Sequence, residues 1–135
     1  MRSLFDRLGG TPTLQAVHNT FYEKIYDHPR MKKFFEAVPR QHIEDQQTAF
    51  MTGAMGGKKI FAGRKPRAAH MHMFITKELF DLRAQMLHES IAEHNIDPLL
   101  MDEWMQLDAR FEAAVVKKNR GECEPRYATD TILDF

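Results

Sequence analysis

His70 is a candidate to bind a metal as a single ligand. A neutral imidazole carries a lone pair that coordinates iron, and His70 stands on a short helical segment that methionine and aromatic residues follow. A basic run interrupted by glycines, residues 56–67, precedes it. This setting fits one axial ligand to a haem iron, although a lone histidine in a helical chain is more often solvated or hydrogen-bonded.

Two further polar side chains stand on or beside apolar helix faces. Gln47 shares a face with Ile43, Phe50 and Met51, and Tyr22 flanks the apolar stripe of the preceding helix. A buried amide without hydrogen bonds costs about 1–3 kcal/mol, so Gln47 requires a partner inside a pocket. The alternatives are an ordinary helix-packing amide for Gln47 and a core tyrosine with a surface hydroxyl for Tyr22.

Other kinds of chemical site find little support. The glycine pairs at 9–10 and 56–57 lack the pattern of a phosphate-binding loop and are better explained as helix stops. Cys123 lies in a polar segment, and no serine has a strand-turn-helix context. His70 and His72 are two residues apart and point to different sides of a helix, so we do not expect them to share a metal.

Composition narrows the class of protein. The 135 residues are 43% hydrophobic and 28% charged, with 19 basic and 19 acidic side chains. This balance argues against a nucleic-acid or anionic-membrane partner, and no apolar run has membrane length. The single cysteine excludes an internal disulfide framework. We therefore expect one soluble, cytoplasmic domain, either monomeric or weakly dimeric.

The elements that would position these side chains are helices. Apolar residues recur at helical spacing and alternating strand patterns are nearly absent, so the predicted fold class is all-α. Thr11 is predicted to cap a helix begun by Pro12, and a second helix covers roughly residues 41–55. Thr76 is predicted to cap a third long helix that runs to about Asn95.

The final helix is predicted to open at Asp97-Pro98 and to end near Gly121. We expect a domain over residues 1–118 and a loosely ordered C-terminal tail over residues 119–135, which docks through Tyr127 or Phe135.

In their order along the chain, these elements resemble the truncated haemoglobins, the short globins with a two-over-two helical sandwich, and most closely their first group. The resemblance covers nearly all of residues 3–116. Its most specific parts are Leu8-Gly9-Gly10, Thr20 to Lys24, Arg30 to Phe35, Gln47 to Phe50 through Gly56-Gly57, Gly63-Arg64, Ala69-His70 and Ile75-Thr76.

The resemblance implies a cofactor, haem b, and a role for each matching residue. His70 would be the proximal iron ligand, and Phe35 would stack on the porphyrin. Tyr22 and Gln47 would donate hydrogen bonds to a ligand on the distal side. The apolar haem contacts would come from among Ile43, Phe50, Met51, Phe61, Met73, Phe74, Leu79, Phe80, Met86, Leu107 and Phe111, about half of which could be plain core.

Three charged or polar positions bear on the expected pocket. Arg64 is a candidate partner for a haem propionate. Gln46 stands where some relatives place a second, iron-ligating histidine, so that route to six-coordinate haem is closed. Arg83 occupies a position where relatives tend to carry a small apolar residue. Because a buried unpaired guanidinium is costly, we expect Arg83 to extend outward or to pair with a propionate.

The function implied by the resemblance is the binding of dioxygen and nitric oxide at a histidine-ligated iron. Such a protein would support nitric oxide dioxygenation or related redox detoxification, with an external electron donor. The alternatives are a reversible oxygen carrier, an oxygen store or a gas sensor without turnover. A further alternative, a helical interaction module whose aromatic residues are only core, predicts no Soret absorption after haem reconstitution.

Overall fold

The computed structural model describes residues 2–135 and contains only helices, turns and two isolated β-bridges over that part of the chain. None of the helices in the described residues has the length and apolar character needed to cross a membrane. The α-helices are α1 (Leu4–Leu8), α2 (Thr11–Asp27), α3 (Arg40–Ala54), α4 (Pro66–His70), α5 (Lys77–Glu93), α6 (Pro98–Ala109) and α7 (Glu112–Val115), with 3-10 helices at Met31–Phe35 and Arg120–Glu122.

Side-chain caps fix the starts of α5 and α6 as the sequence predicts. The Thr76 hydroxyl accepts a hydrogen bond from the Leu79 N–H, and the Asp97 carboxylate accepts one from the Leu99 N–H. The predicted cap at Thr11 is wrong, because Thr11 is already helical in α2. The N-cap is Gly10, whose φ of 74° lies in the left-handed region that favours glycine.

The prediction of one continuous final helix to Gly121 is also wrong. Helix α6 ends at Ala109, a turn follows at Arg110 and Phe111, and α7 adds only four residues. Beyond α7 the chain becomes extended, and the Lys117 N–H donates to the Ile75 carbonyl. That bond and the Ile75–Val116 bridge replace further helical turns.

Helix α2 packs against α3 and α5, and α5 packs against α6. The α2 stripe at i, i+3, i+7 and i+11 supplies side chains that are at most 2% exposed. The fully buried apolar core combines Leu14, Val17, Phe21 and Ile25 of α2 with Met51 of α3, Ile91 of α5 and Trp104 of α6. These packed helices form the rigid frame around the cavity described below.

A buried histidine lies within this core. His18 of α2 is 1% exposed, and its Nδ1 lies 2.7 Å from the Thr48 hydroxyl of α3. Burial, together with a smaller effect of the positive charge of Arg83, lowers the pKa of His18 from 6.5 to about 3. His18 is therefore neutral in the folded protein over most of the acidic range.

This histidine should make the protein less stable in acid. Below pH 6.5 the unfolded chain protonates His18 and the folded chain does not, so the free energy of unfolding falls as the pH drops toward 3. The loss from this site approaches about 1.4 kcal/mol per pH unit. The free energy of unfolding, measured with urea across the pH range, should become more similar for the parent and for His18→Gln as the pH falls, because glutamine cannot titrate. Exposed His88→Gln is the matched control, and parallel curves for parent and His18→Gln would contradict the assignment.

The C-terminal residues lie against the segment that follows α4. The Leu133 N–H donates to the His72 carbonyl, and the Phe74 N–H donates to the Leu133 carbonyl. The Phe135 ring contacts the Phe34 ring edge-to-face, with centroids 5.1 Å apart. The Tyr127 side chain is 57% exposed. The domain boundary at residue 118 stays a prediction.

Candidate functional site

One cavity of about 540 Å³ opens between α2, α3, α4 and α5. This volume falls within the roughly 300–1,000 Å³ typical of small-molecule and cofactor pockets. Its lining is mostly apolar and aromatic, with a few polar groups. Of the predicted site residues, those that line it are Tyr22, Phe35, Ile43, Gln46, Gln47, Phe50, Phe61, Arg64, His70, Met73 and Phe80.

His70 reaches the cavity from the last turn of α4. Its Nδ1 lies 2.7 Å from the Pro66 carbonyl oxygen, and because a carbonyl can only accept, Nδ1 carries the proton. Burial lowers the pKa of His70 to about 4, against the opposing effect of the Pro66 hydrogen bond. The imidazole is therefore neutral at physiological pH, and the Nε2 lone pair is available to coordinate a metal.

Lys117 holds the backbone of this segment, a role that the sequence did not indicate. The residue is 7% exposed, and its ammonium group donates to the carbonyls of His70 and Val115. The Glu124 N–H donates to the Met71 carbonyl, one residue further along. Two distant parts of the chain thus fix the backbone at and just after His70.

Tyr22 comes to the cavity from α2 as a protonated donor. The residue is 6% exposed, and burial raises its pKa well above the ordinary value, while the positive charge of Arg83 opposes this rise. One turn further along α2, the Tyr26 hydroxyl donates to the Val38 carbonyl. Among the described residues the Tyr22 hydroxyl has no such partner, so its hydrogen remains available to a ligand.

The amides of Gln46 and Gln47 line the cavity from α3. Neither side chain is hydrogen-bonded to another of the described residues, in contrast to Gln41, whose amide donates to Asp45. The side chain of His42 lines the same wall. Helix α3 therefore brings two glutamines, whose amides have no hydrogen-bond partner among the described residues, and one histidine to the cavity wall.

Aromatic rings form much of the remaining wall. The Phe50 ring lies edge-on to the rings of Phe61 and Phe111, with centroid distances of 5.3 Å in both pairs. The Phe35 ring lies 6.2 Å from that of Tyr22. Such edge-to-face pairs hold flat rings in fixed orientations around an apolar space.

Phe74 is a predicted cofactor contact that does not line the cavity. The segment around it is extended, and successive side chains of extended backbone point to opposite sides. Met73 and Ile75 line the cavity, so the intervening Phe74 faces away.

Of the wider set of predicted apolar contacts, Leu79 and Phe111 also line the cavity, whereas Met51, Met86 and Leu107 do not.

Arg83 does not have the first of its two expected placements, and its pairing with a propionate stays a prediction. Instead of extending outward, it lies in the cavity wall and binds Asp108 of α6 through two parallel hydrogen bonds of 2.8 and 2.9 Å. The sequence reasoning did not identify Asp108, which stands on a helix with an otherwise apolar stripe. A carboxylate inside that stripe was the available signal, because a buried carboxylate requires a cation.

Cations also stand where the C-terminal segment meets the cavity. The guanidinium of exposed Arg64 lies 4.7 Å from the centre of the Tyr127 ring, and that of Arg126 lies 5.6 Å from it. Asp130 holds Arg126 through its Nε and Nη2 atoms. All three of Arg64, Arg126 and Tyr127 line the cavity. Neither Arg126 nor Tyr127 was predicted to do so.

These features fit a haem. A flat, apolar macrocycle needs an aromatic-lined cavity, its iron needs a neutral imidazole, and its propionates need cations near solvent. The cavity walls, His70, and the pair Arg64 and Arg126 meet these three needs. No three histidine, cysteine, aspartate or glutamate side chains among residues 2–135 converge on a metal site of their own.

Comparison with known proteins agrees with this fit. Residues 3–117 match the family model described as bacterial-like globin. The chain is 32% identical over 107 residues to a group 1 truncated haemoglobin of Synechocystis, covering 76% of this chain and 86% of that protein. It is 28% identical over 102 residues to one from Tetrahymena pyriformis, covering 76% and 84%.

A solved structure has the same arrangement of helices. The 2/2 haemoglobin from Synechococcus sp. PCC 7002, described in the cyanomet state with covalently attached haem, superposes with a TM-score of 0.79 at 30% identity. The match covers 85% of this chain and 98% of that one. The predicted two-over-two helical fold is confirmed.

Proposed function

Because this chain belongs to the bacterial-like globin family as a group I truncated haemoglobin, which holds a haem and binds diatomic gases, we propose that it oxidises nitric oxide to nitrate with bound dioxygen. We further propose that the cofactor is haem b, that a separate reductase supplies the electron, and that the protein acts in the cytoplasm as a monomer or weak dimer. Family membership argues against a haem-free interaction module.

The proposal depends on one observation: a neutral His70 and two polar residues without hydrogen-bond partners among the described residues, Tyr22 and Gln47, line the same cavity. When bound, haem supplies an iron with a coordination position for a diatomic ligand and a one-electron change of oxidation state. His70 Nε2 would hold the iron while the Pro66 carbonyl fixes the orientation of the ring. The Tyr22 hydroxyl and the Gln47 amide would donate to the ligand, and desolvation would strengthen these bonds.

The aromatic wall and the C-terminal segment give the chain two further tasks. Phe35, Phe50 and Phe61 exclude water from the reacting ligands, which keeps the local dielectric low. Arg64 and Arg126, which line the cavity, would bind the propionates. The overall reaction, in which dioxygen, nitric oxide and one electron give nitrate, requires no proton from the protein. The polar residues therefore act by orienting and retaining dioxygen until nitric oxide arrives.

Rapid mixing of the dioxygen-loaded protein with nitric oxide tests the proposal. We expect about one nitrate per haem and ferric haem at the end of a single turnover, because the donors hold dioxygen in place long enough to react. A reductase with a suitable potential should then restore the ferrous state and sustain turnover. Release of dioxygen without nitrate or ferric haem would sink the dioxygenase proposal.

Reversible oxygen binding without turnover is the second candidate. The same unpartnered Tyr22 hydroxyl favours it, because any donor that retains dioxygen also suits storage or sensing. With a reductase present, this candidate predicts no sustained formation of nitrate.

A further inference from the structure

The ion pair between Arg83 and Asp108 presents its positive end to the cavity. The Arg83 side chain is 24% exposed, whereas that of Asp108 is only 3% exposed. Both carboxylate oxygens accept hydrogen bonds from the guanidinium, one from each Nη. Both residues line the cavity, but the guanidinium is the more exposed of the two charges and covers most of the carboxylate.

The guanidinium retains unused donors after binding Asp108. Two of its five N–H groups are directed to the carboxylate. The Nε–H has no hydrogen-bond partner among residues 2–135. Phe21 and Phe80 flank the group, with ring centres 5.5 Å from the guanidinium carbon in both cases. The two rings and Asp108 hold the cation in place without consuming its donors.

This cation lies on the Tyr22 side of the cavity. Arg83 stands on α5, which packs against α2, and the Phe21 ring that it contacts belongs to the residue preceding Tyr22. The charge of Arg83 also acts on the Tyr22 hydroxyl, where it opposes the effect of burial on the pKa. A ligand that accepts from Tyr22 therefore also lies in the field of a fixed guanidinium.

We propose that Arg83 is the residue that sets the preference of this cavity for small monovalent anions, of the size of azide or nitrite, over neutral ligands. The inference rests on the proposed function, because such an anion would bind beside Tyr22 in the cavity that holds the haem. Asp108 maintains the guanidinium in position and reduces its net attraction, while the free N–H groups supply charge-assisted hydrogen bonds. In a low-dielectric cavity, these bonds favour an anion over a neutral ligand of equal size.

Azide and carbon monoxide are the probes that separate charge from shape. In the haem-loaded protein, we expect Arg83→Met to raise the Kd of azide for the ferric state at least about tenfold. The Kd of neutral carbon monoxide for the ferrous state should change less than about threefold, since it carries no net charge to interact with the cation. Arg83→Lys, which keeps the charge and loses the planar fork, should fall between parent and Arg83→Met.

Two further variants guard against a loss of folding or a general charge effect. Arg83→Met leaves Asp108 buried without a partner, so the double variant Arg83→Met/Asp108→Leu should fold better and show the same selective loss of azide binding. Arg7→Met removes a similarly paired arginine from the surface, where Arg7 binds Glu103 in bidentate fashion. Arg7→Met should leave both dissociation constants unchanged.

Three outcomes would overturn the inference. Equal changes in the azide and carbon monoxide constants would mean that Arg83 only shapes the cavity. Unchanged azide affinity with faster haem loss would assign Arg83 to a propionate. If Arg7→Met weakens azide binding as much as Arg83→Met does, the net charge of the protein, and not the position of Arg83, would explain the change in azide affinity. A parent protein without a Soret band would instead overturn the proposed function, and the inference with it.

Discussion

Replacing His70 by alanine is expected to remove the protein's axial bond to haem iron. In the parent, Nδ1 is committed to the Pro66 carbonyl and burial keeps the ring neutral, so Nε2 is available as a ligand. Removing a group that hydrogen-bonds to a metal ligand typically costs about 10–100-fold in metal affinity. Removing the ligand itself should therefore weaken haem binding by more than about a hundredfold. The measurement is a haem titration followed by the Soret absorption of parent and variant.

His42→Ala is the matched control, because His42 is the other histidine whose side chain lines the cavity in the described chain. It should leave the spectrum and the haem affinity close to those of the parent. Added imidazole should restore a histidine-like spectrum to His70→Ala by occupying the space of the lost ring. Unchanged five-coordinate haem binding in His70→Ala would contradict the assignment of His70 as the proximal ligand.

Sequence reasoning succeeded where the determining interactions are local. The caps at Thr76 and Asp97 each use a backbone N–H two or three residues away, so their signal lies within a few positions. The apolar stripe of α2 is likewise a consequence of helical period. The placement of Tyr22, Gln47 and His70 around one cavity depended on the family resemblance, since spacing alone also allowed ordinary core roles for these residues.

Sequence reasoning failed where the partner is distant or where the backbone departs from a helix. Arg83 and Asp108 are 25 residues apart, and Lys117 reaches the backbone 47 residues before it at His70. A helical period shows which face a residue occupies, but not which element packs against that face. The end of α7 has the same cause, because the bond between Lys117 and the distant Ile75 competes with further helix.

The Tyr22 hydroxyl should determine how long dioxygen stays bound. It is a buried, protonated donor without a partner in the described chain, so its hydrogen can be given wholly to the ligand. A hydrogen bond to a group that gains negative charge is worth about 1.5–3 kcal/mol, which corresponds to a rate change of about 10- to 150-fold. We therefore expect Tyr22→Phe to raise the dioxygen dissociation rate within that range, as measured by stopped-flow displacement of dioxygen with carbon monoxide.

Tyr26→Phe is the control that removes the same atom one helical turn away. The Tyr26 hydroxyl already donates to Val38, and Tyr26 does not line the cavity, so its loss should leave the dissociation rate nearly unchanged. Ile43→Ala enlarges the cavity without removing a donor and should have a smaller effect than Tyr22→Phe. If Ile43→Ala accelerates dissociation as much as Tyr22→Phe does, cavity shape retains the ligand. If instead neither variant changes the dissociation rate, the retaining hydrogen bond comes from Gln47 or Gln46, which line the cavity from α3.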